Sequence, residues 1–175
     1  MTYKRILVAV DGSANAARAL STAADLARQW ESELVLVHAV MSGAIPKDLL
    51  EWARVEHGVD TREEPVPQVD MPGFGRLGVV THEQASRAPY ETRVALGRSI
   101  LEDAQRRARD AGVQNTRLIL EDGDPAEVVR QAADSESPDL VVLGTRGLGT
   151  WKGLLAGSVS QKVIGLAARP TLLVP

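Results

Sequence analysis

The segment Arg5–Val10, RILVAV, runs directly into the turn residues Asp11–Ser13 and indicates the type of fold. A continuous apolar run of branched residues that ends in a turn is typical of a strand buried on both faces, as in a parallel sheet. Apolar residues then recur at helical spacing along Ala17–Trp30, and Ser13 is placed to cap that helix. A buried strand that leads through a tight turn into an amphipathic helix predicts an α/β protein.

The same alternation of strand and helix continues along the chain. Further strands are predicted at Leu34–Val40, Leu118–Leu120, Leu140–Gly144 and Thr171–Val174, with helices from Tyr90, from Pro125 and at Val159–Ala167. Asp124 is the predicted cap of the helix at Pro125, with Glu127 where a capping box has an acid. Because parallel strands need right-handed crossovers, we predict a doubly wound, five-stranded, mostly parallel sheet with helices on both faces.

One connection is much longer than the rest. Residues 41–89 separate the second strand from the second helix, whereas the median connection in compact domains is about 4 to 6 residues. Lys47–Val55 has the pattern of a short amphipathic helix, while the prolines and the glycines Gly73, Gly75 and Gly78 predict irregular structure. We predict one domain over residues 1–175 with a long insert at about 41–89.

Composition limits the classes of function. The hydrophobic fraction is 44%, the charged fraction 25% and the net charge -3, so the chain has no general attraction for nucleic acid. It has no cysteine, which excludes disulfides and thiolate metal sites. Its apolar runs are shorter than the roughly 20 residues of a membrane span, and the start of the chain has no signal-peptide pattern. We expect a cytoplasmic protein without nucleic-acid or membrane partners.

The segment Gly144–Ser160, GTRGLGTWKGLLAGSVS, lies between a predicted strand and a predicted helix and indicates the chemistry. Glycines let the backbone approach a ligand closely, and the unpaired amides at a helix start attract anions. Ser158 and Ser160 add hydroxyl donors. A long surface turn in which Ser158 only caps the helix is the alternative, but the agreement of glycines, serines and setting favours a phosphate-binding loop.

Asp11 follows the first strand and should reach the same edge of the sheet, where ligands of open α/β sheets bind. Two hypotheses remain open for its carboxylate. It could bind ribose or Mg²⁺, or it could serve only the Asp-Gly turn before a helix.

Other motifs in the chain support no site. Gly73–Gly78, GFGRLG, has the dinucleotide-binding spacing but lies in the proline-rich insert, and Thr150–Trp151 stands where a P-loop needs Lys and Ser or Thr. His38 lies within an apolar strand and is predicted to be a core or crevice-edge histidine. His57 and His82 lack the spaced partners of a metal site.

The spacing of Gly144, Gly147, Gly157 and Ser158 is glycine, two residues, glycine, nine residues, glycine and serine. With the opening Lys4–Ser13, the second strand ending at Val40 and the closing Arg169–Val174, the chain resembles universal stress proteins of the type that binds ATP. The resemblance implies a sheet like that of the adenine nucleotide alpha hydrolases, bound ATP or AMP with Mg²⁺ as a candidate companion, and a homodimer joined through Thr171–Val174.

By position, the resemblance assigns eleven binding residues in three groups, none of them catalytic. The phosphate loop comprises Gly144, Arg146, Gly147, Gly157, Ser158, Val159 and Ser160; the adenine side comprises Ala39 and Val40; and the ribose and metal side comprises Ala9 and Asp11, the latter a candidate Mg²⁺ ligand.

Three functions fit this pattern. The first is a nucleotide-dependent regulatory or stress-response protein, whose protein partner the sequence does not identify. The second is a slow ATPase or an autophosphorylating enzyme, for which the sequence shows no dedicated base. The third is a nucleotide-free dimeric scaffold. The intact glycine-serine spacing favours the first.

Overall fold

The computed structural model describes residues 3–40, 45, 47–60, 68–71, 75–78, 89–145, 158–166 and 169–175. Its contacts divide the chain into two compact units. The first unit comprises Met1–Met41 and Gly97–Pro175, and the second comprises Ser42–Leu96. The elements follow in the order β1 (Arg5–Ala9), α1 (Ala14–Trp30), β2 (Glu33–Val40), α2 (Lys47–His57), β3 (Gln68–Met71), β4 (Gly75–Gly78), α3 (Tyr90–Asp110), β5 (Thr116–Asp122), α4 (Pro125–Glu136), β6 (Leu140–Gly144), α5 (Ser158–Leu166) and β7 (Thr171–Val174).

The first unit contains a five-stranded sheet with the order β5-β2-β1-β6-β7. Every pairing in it is parallel. β1 lies at the centre, where Leu7 pairs with Val35 of β2 and with Val141 of β6. All three side chains have no exposed surface, as expected for the apolar strands of a parallel sheet.

Helices cover both faces of this sheet. Leu7 and Val35 are buried in one cluster with residues of α4 and with Val163 of α5. Ile6 and Leu36 are also fully buried, and because side chains alternate along a strand they lie on the opposite face. There α1 packs on β1 and β6. The predicted doubly wound α/β fold is confirmed.

The amino ends of the strands are joined by charged side chains. Arg5 Nε lies 2.7 Å from Glu33 Oε2, and Arg117 Nε lies 3.1 Å from Glu33 Oε1. The carboxylate of Asp139 accepts from the amides of Lys4 and Arg5 at 2.7 and 3.0 Å. Partial burial opposes ionisation of Glu33, but the two arginines outweigh it and lower its pKa. These contacts fix the end of the sheet remote from the carboxyl ends of the strands.

Two helices begin as the sequence predicts. Ser13 Oγ accepts from Ala16 N at 3.1 Å at the start of α1, and Asp124 Oδ1 accepts from Ala126 N at 3.0 Å at the start of α4. The capping-box expectation for Glu127 is not met, because its carboxylate accepts from Arg130 and Gln131 instead. The Arg130 guanidinium, one turn along the helix, is hydrogen bonded to the Glu127 carboxylate.

The second unit contains more regular structure than the sequence predicts. The helix expected at Lys47–Val55 is present as α2, with Leu49 and Ala53 buried. The prediction of irregular structure is wrong for Gly75 and Gly78, since both belong to β4, which pairs antiparallel with β3. Gly73 lies outside the described residues. Pairing of two short segments depends on backbone hydrogen bonds that local composition does not show. The GFGRLG motif therefore ends in a hairpin strand rather than at a helix start.

Candidate functional site

The candidate site lies at the carboxyl ends of β1 and β6, where the two crossovers leave the sheet toward opposite faces. β1 leads to α1 on the face of Ile6, while β6 precedes α5 on the face of Leu7. Such a switch point opens a crevice in a doubly wound sheet. The structure brings four of the predicted residues to the strand ends at this crevice: Ala9, Asp11, Gly144 and Ser160.

Gly144 ends β6 and contacts the first turn of α1. A Cβ atom at Gly144 would lie 2.9 Å from the carbonyl carbon of Asn15 and 3.0 Å from its oxygen, distances that real Cβ atoms rarely show. The φ angle of Gly144 is not positive, so its backbone conformation does not require glycine. Glycine is needed here because the first turn of α1 lies so close to this position. The sequence did not single out Asn15, whose only signal was its place in the first turn after β1.

Ser160 connects the same strand end to α5. Ser160 is 4% exposed, and its Oγ donates to the carbonyl of Gly144 at 2.7 Å. Val159, one residue earlier, is partly buried against the core beneath the sheet. The first turns of α1 and α5 therefore both lie against Gly144. In this arrangement the Ser160 hydroxyl donates its hydrogen bond to the Gly144 carbonyl. A hydrogen bond from Ser160 to phosphate stays a prediction.

Asp11 takes part in the turn between β1 and α1. Its Oδ1 accepts from the amide of Ser13 at 2.9 Å, and Gly12 between them has a φ of 80°. The Asp11 carboxylate therefore takes part in the Asp-Gly turn, and its ribose or Mg²⁺ role stays a prediction. Across the described part of the chain, no group of three or more His, Cys, Asp or Glu side chains could hold a metal ion.

Ala39 and Val40 lie at the carboxyl end of β2, beside β1. They are 9% and 4% exposed and pair with Glu121 and Asp122 of β5. Ala39 packs with α4 on one face of the sheet. The predicted adenine side is thus placed one strand away from Ala9, at the same edge of the sheet.

His38 is the buried histidine that its apolar strand predicts. It is 3% exposed, and its Nδ1 lies 2.7 Å from the carbonyl oxygen of Val10. Burial lowers the pKa of His38, although the Val10 contact and the charge of Asp11 oppose that shift. The ring is therefore neutral near pH 7 and lies next to the turn that carries Asp11.

Part of the predicted phosphate loop lies outside the described residues. This applies to Arg146, Gly147 and Gly157, and to the side chain of Ser158, whose backbone begins α5. Their assignment rests on the sequence.

Among the helices that the structure describes, none is long and apolar enough to cross a membrane.

The fold and the position of this crevice define a doubly wound α/β protein with an open switch point. Residues 2–175 match the model of the Universal stress protein family, and the chain belongs to that family. A universal stress protein of Thermus aquaticus is 34% identical over 176 residues, which cover 98% of each chain.

Solved structures support the same fold. The universal stress protein UspA from Lactobacillus plantarum is 18% identical with a TM-score of 0.69, over 100% of this chain and 99% of that one. A family member from Arabidopsis thaliana with AMP bound is 18% identical with a TM-score of 0.58, over 98% of this chain and 90% of that one. Two other structures of the fold are complexes with dAMP and with cAMP.

Proposed function

We propose that this protein binds ATP or AMP in the crevice at the ends of β1 and β6 and acts as a nucleotide-dependent regulatory protein in a stress response. The observation that carries the proposal is the approach of two helix starts, those of α1 and α5, to Gly144. Helix starts hold unpaired amides and a partial positive charge, which suit phosphate.

The two helix starts are not equivalent. At α1, the side chains of Asp11 and Ser13 accept from the amides of Ser13 and Ala16, so two polar groups of that turn are already paired within the chain. Asp11 also brings a negative charge, which repels phosphate and suits ribose hydroxyls or a cation. The phosphates therefore belong beside α5, and the ribose beside Asp11. The glycine-serine spacing of Gly144–Ser158 agrees with this orientation.

The solved structures of the fold that hold AMP, dAMP and cAMP support an adenine nucleotide as the ligand. Regulation would follow if the nucleotide binds two conformations of the protein with different affinity, because only such a difference shifts their populations. When ATP is bound, Asp11 would hold Mg²⁺, which would supply positive charge to offset the negative charge of the phosphates. No observation on the described residues favours hydrolysis, which needs a positioned base. A cytoplasmic location is part of the same proposal.

A homodimer through β7 completes the proposal. β7 lies at an edge of the sheet and pairs with β6 on its inner side. The carbonyls of Pro170 and Val174 accept from the amides of Val141 in β6 and of Thr145 just after it. The amides of Thr171 and Leu173 therefore face outward, since polar groups alternate along a strand. A second copy can pair with this edge. Sedimentation equilibrium should show a dimer for the wild type and a monomer for Thr171→Pro, which removes an outward amide.

The nucleotide proposal is tested by mass spectrometry of the small molecules released when freshly purified protein is denatured. A Gly157→Trp variant obstructs the proposed phosphate loop. Gly165→Trp is the control, because Gly165 lies in α5 and a Cβ added there meets nothing within 4 Å. Near-stoichiometric ATP or AMP in the wild type and the control, but not in Gly157→Trp, is the expected result. A wild type that is empty and also fails to take up added ATP and AMP would refute the proposal.

A further inference from the structure

Val10, the residue before Asp11, forms a hydrogen bond with each of its two backbone polar groups. The amide of Val10 donates to the carbonyl of Val37 at 2.9 Å, which extends the β1–β2 pairing past the end of β1. The carbonyl of Val10 accepts from the ring of His38 at 2.7 Å. The His38 side chain of β2 is thus hydrogen bonded to the backbone carbonyl just before the turn.

The direction of this hydrogen bond follows from the chemistry of its partners. A carbonyl oxygen only accepts, so His38 Nδ1 carries the hydrogen and Nε2 of the neutral ring does not. The peptide between Val10 and Asp11 is trans, and in a trans peptide the N–H points opposite to the C=O. By holding the carbonyl, His38 sets the plane of this peptide and therefore the direction in which the Asp11 backbone leaves β1.

Helix α3 closes on the other side of the ring. A Cβ atom at Gly97 would lie 2.9 Å from His38 Cδ2 and 3.3 Å from His38 Nε2, and 2.8 Å from Leu120 Cδ1. Only a residue without a side chain permits this approach, and glycine within a helix is otherwise unfavourable. The His38 ring therefore lies between Gly97 on one side and the Val10 carbonyl on the other.

We propose that His38 is a positioning residue of the nucleotide site, which acts through the Val10 carbonyl to hold Asp11 in place for the ribose of the bound nucleotide. This role rests on the proposed function of the crevice. His38 itself does not contact the nucleotide. It lies in the sheet beneath the turn, and its effect reaches the ligand through one peptide unit and the carboxylate that follows it.

Two substitutions of the same shape test the role of the donor. His38→Asn keeps an N–H near the position of Nδ1, whereas His38→Leu has the same branching and no donor. AMP and ATP affinities of both variants are measured by titration calorimetry, with chemical denaturation to verify folding. Loss of the positioning hydrogen bond should weaken binding by about tenfold in His38→Leu, and His38→Asn should stay within about threefold of the wild type.

A double-mutant cycle with Asp11→Ala distinguishes positioning from general damage. If His38 acts through Asp11, His38→Leu costs no further affinity once Asp11 is alanine. Equal losses in both backgrounds would overturn the role, as would unchanged binding by His38→Leu. A wild type that binds neither ATP nor AMP would overturn the proposed function as well, so the two failures are distinguishable.

The tautomer of the His38 ring can also be measured directly in the wild type. The ¹⁵N chemical shifts of the His38 ring should show a protonated Nδ1 and a bare Nε2, and the Nδ1 proton should exchange slowly. The opposite tautomer would place no donor at the Val10 carbonyl and would overturn the inference even if the leucine variant did not fold.

Discussion

Replacement of Gly144 by alanine should destabilise the first unit. The new Cβ would lie 2.9 Å from the carbonyl carbon of Asn15 and 3.0 Å from both its Cβ and its oxygen. Ordinary contacts of a Cβ atom begin near 3.4 Å, so the first turn of α1 must retreat by about half an ångström or β6 must bend. Overpacking of this kind costs about 1 to 3 kcal/mol. The atoms in the way are mostly backbone, which points to the upper part of that range.

The measurement is the free energy of unfolding from urea titration, followed by intrinsic fluorescence. Gly165→Ala is the matched control, since a Cβ there meets nothing within 4 Å. That substitution should stabilise α5 by up to about 1 kcal/mol, because alanine is the better helix former. Gly144→Ala should also weaken nucleotide binding, because both helix starts lie against residue 144. A Gly144→Ala variant as stable as the wild type would refute the packing argument.

Three further predictions concern the described contacts. Ser13→Ala should lower the free energy of unfolding by about 1 kcal/mol through loss of the α1 cap, whereas Ser13→Asn should retain most of it. Ser160→Ala should cost about 1 to 2 kcal/mol, measured by the same titration, because it removes the hydroxyl that donates to the Gly144 carbonyl; no loss would show that another donor replaces it. Glu33 has a lowered pKa in the folded state, so its contribution to the free energy of unfolding is present above its unfolded pKa and is lost as the pH falls through the lower folded value. Glu33→Gln should therefore unfold with a shallower pH dependence in acid, and an unchanged acid transition would contradict this assignment.

Features that depend on neighbouring residues were predictable from the sequence. Arg5–Val10 and Leu140–Gly144 are continuous apolar runs, and both are buried strands of the parallel sheet. Ser13 and Asp124 cap their helices as their positions before the first turn indicate. Such patterns are local, because a strand or a cap is specified by side chains a few residues apart. The glycine-serine spacing of Gly144–Ser158 is local in the same sense.

Features that depend on two distant segments were not predictable in this way. The hairpin of β3 and β4 was missed because its pairing is made by backbone groups, which every sequence contains. Glu127 was expected to complete a capping box with Asp124, but its carboxylate forms an ion pair with Arg130 instead. For Gly144, the sequence indicated a ligand contact, and the structure adds a reason within the chain, the approach of Asn15.

The sequence by itself determined the doubly wound class, the order along the chain of the strands of the five-stranded sheet and the helices between them, and a candidate anion loop, because periodicity, caps and glycine spacing are local patterns. Only the tertiary structure decided that α1 and α5 begin against the same glycine and that His38 holds the carbonyl before Asp11. These contacts join residues far apart in the chain, and their distances follow from how the sheet and the helices pack together.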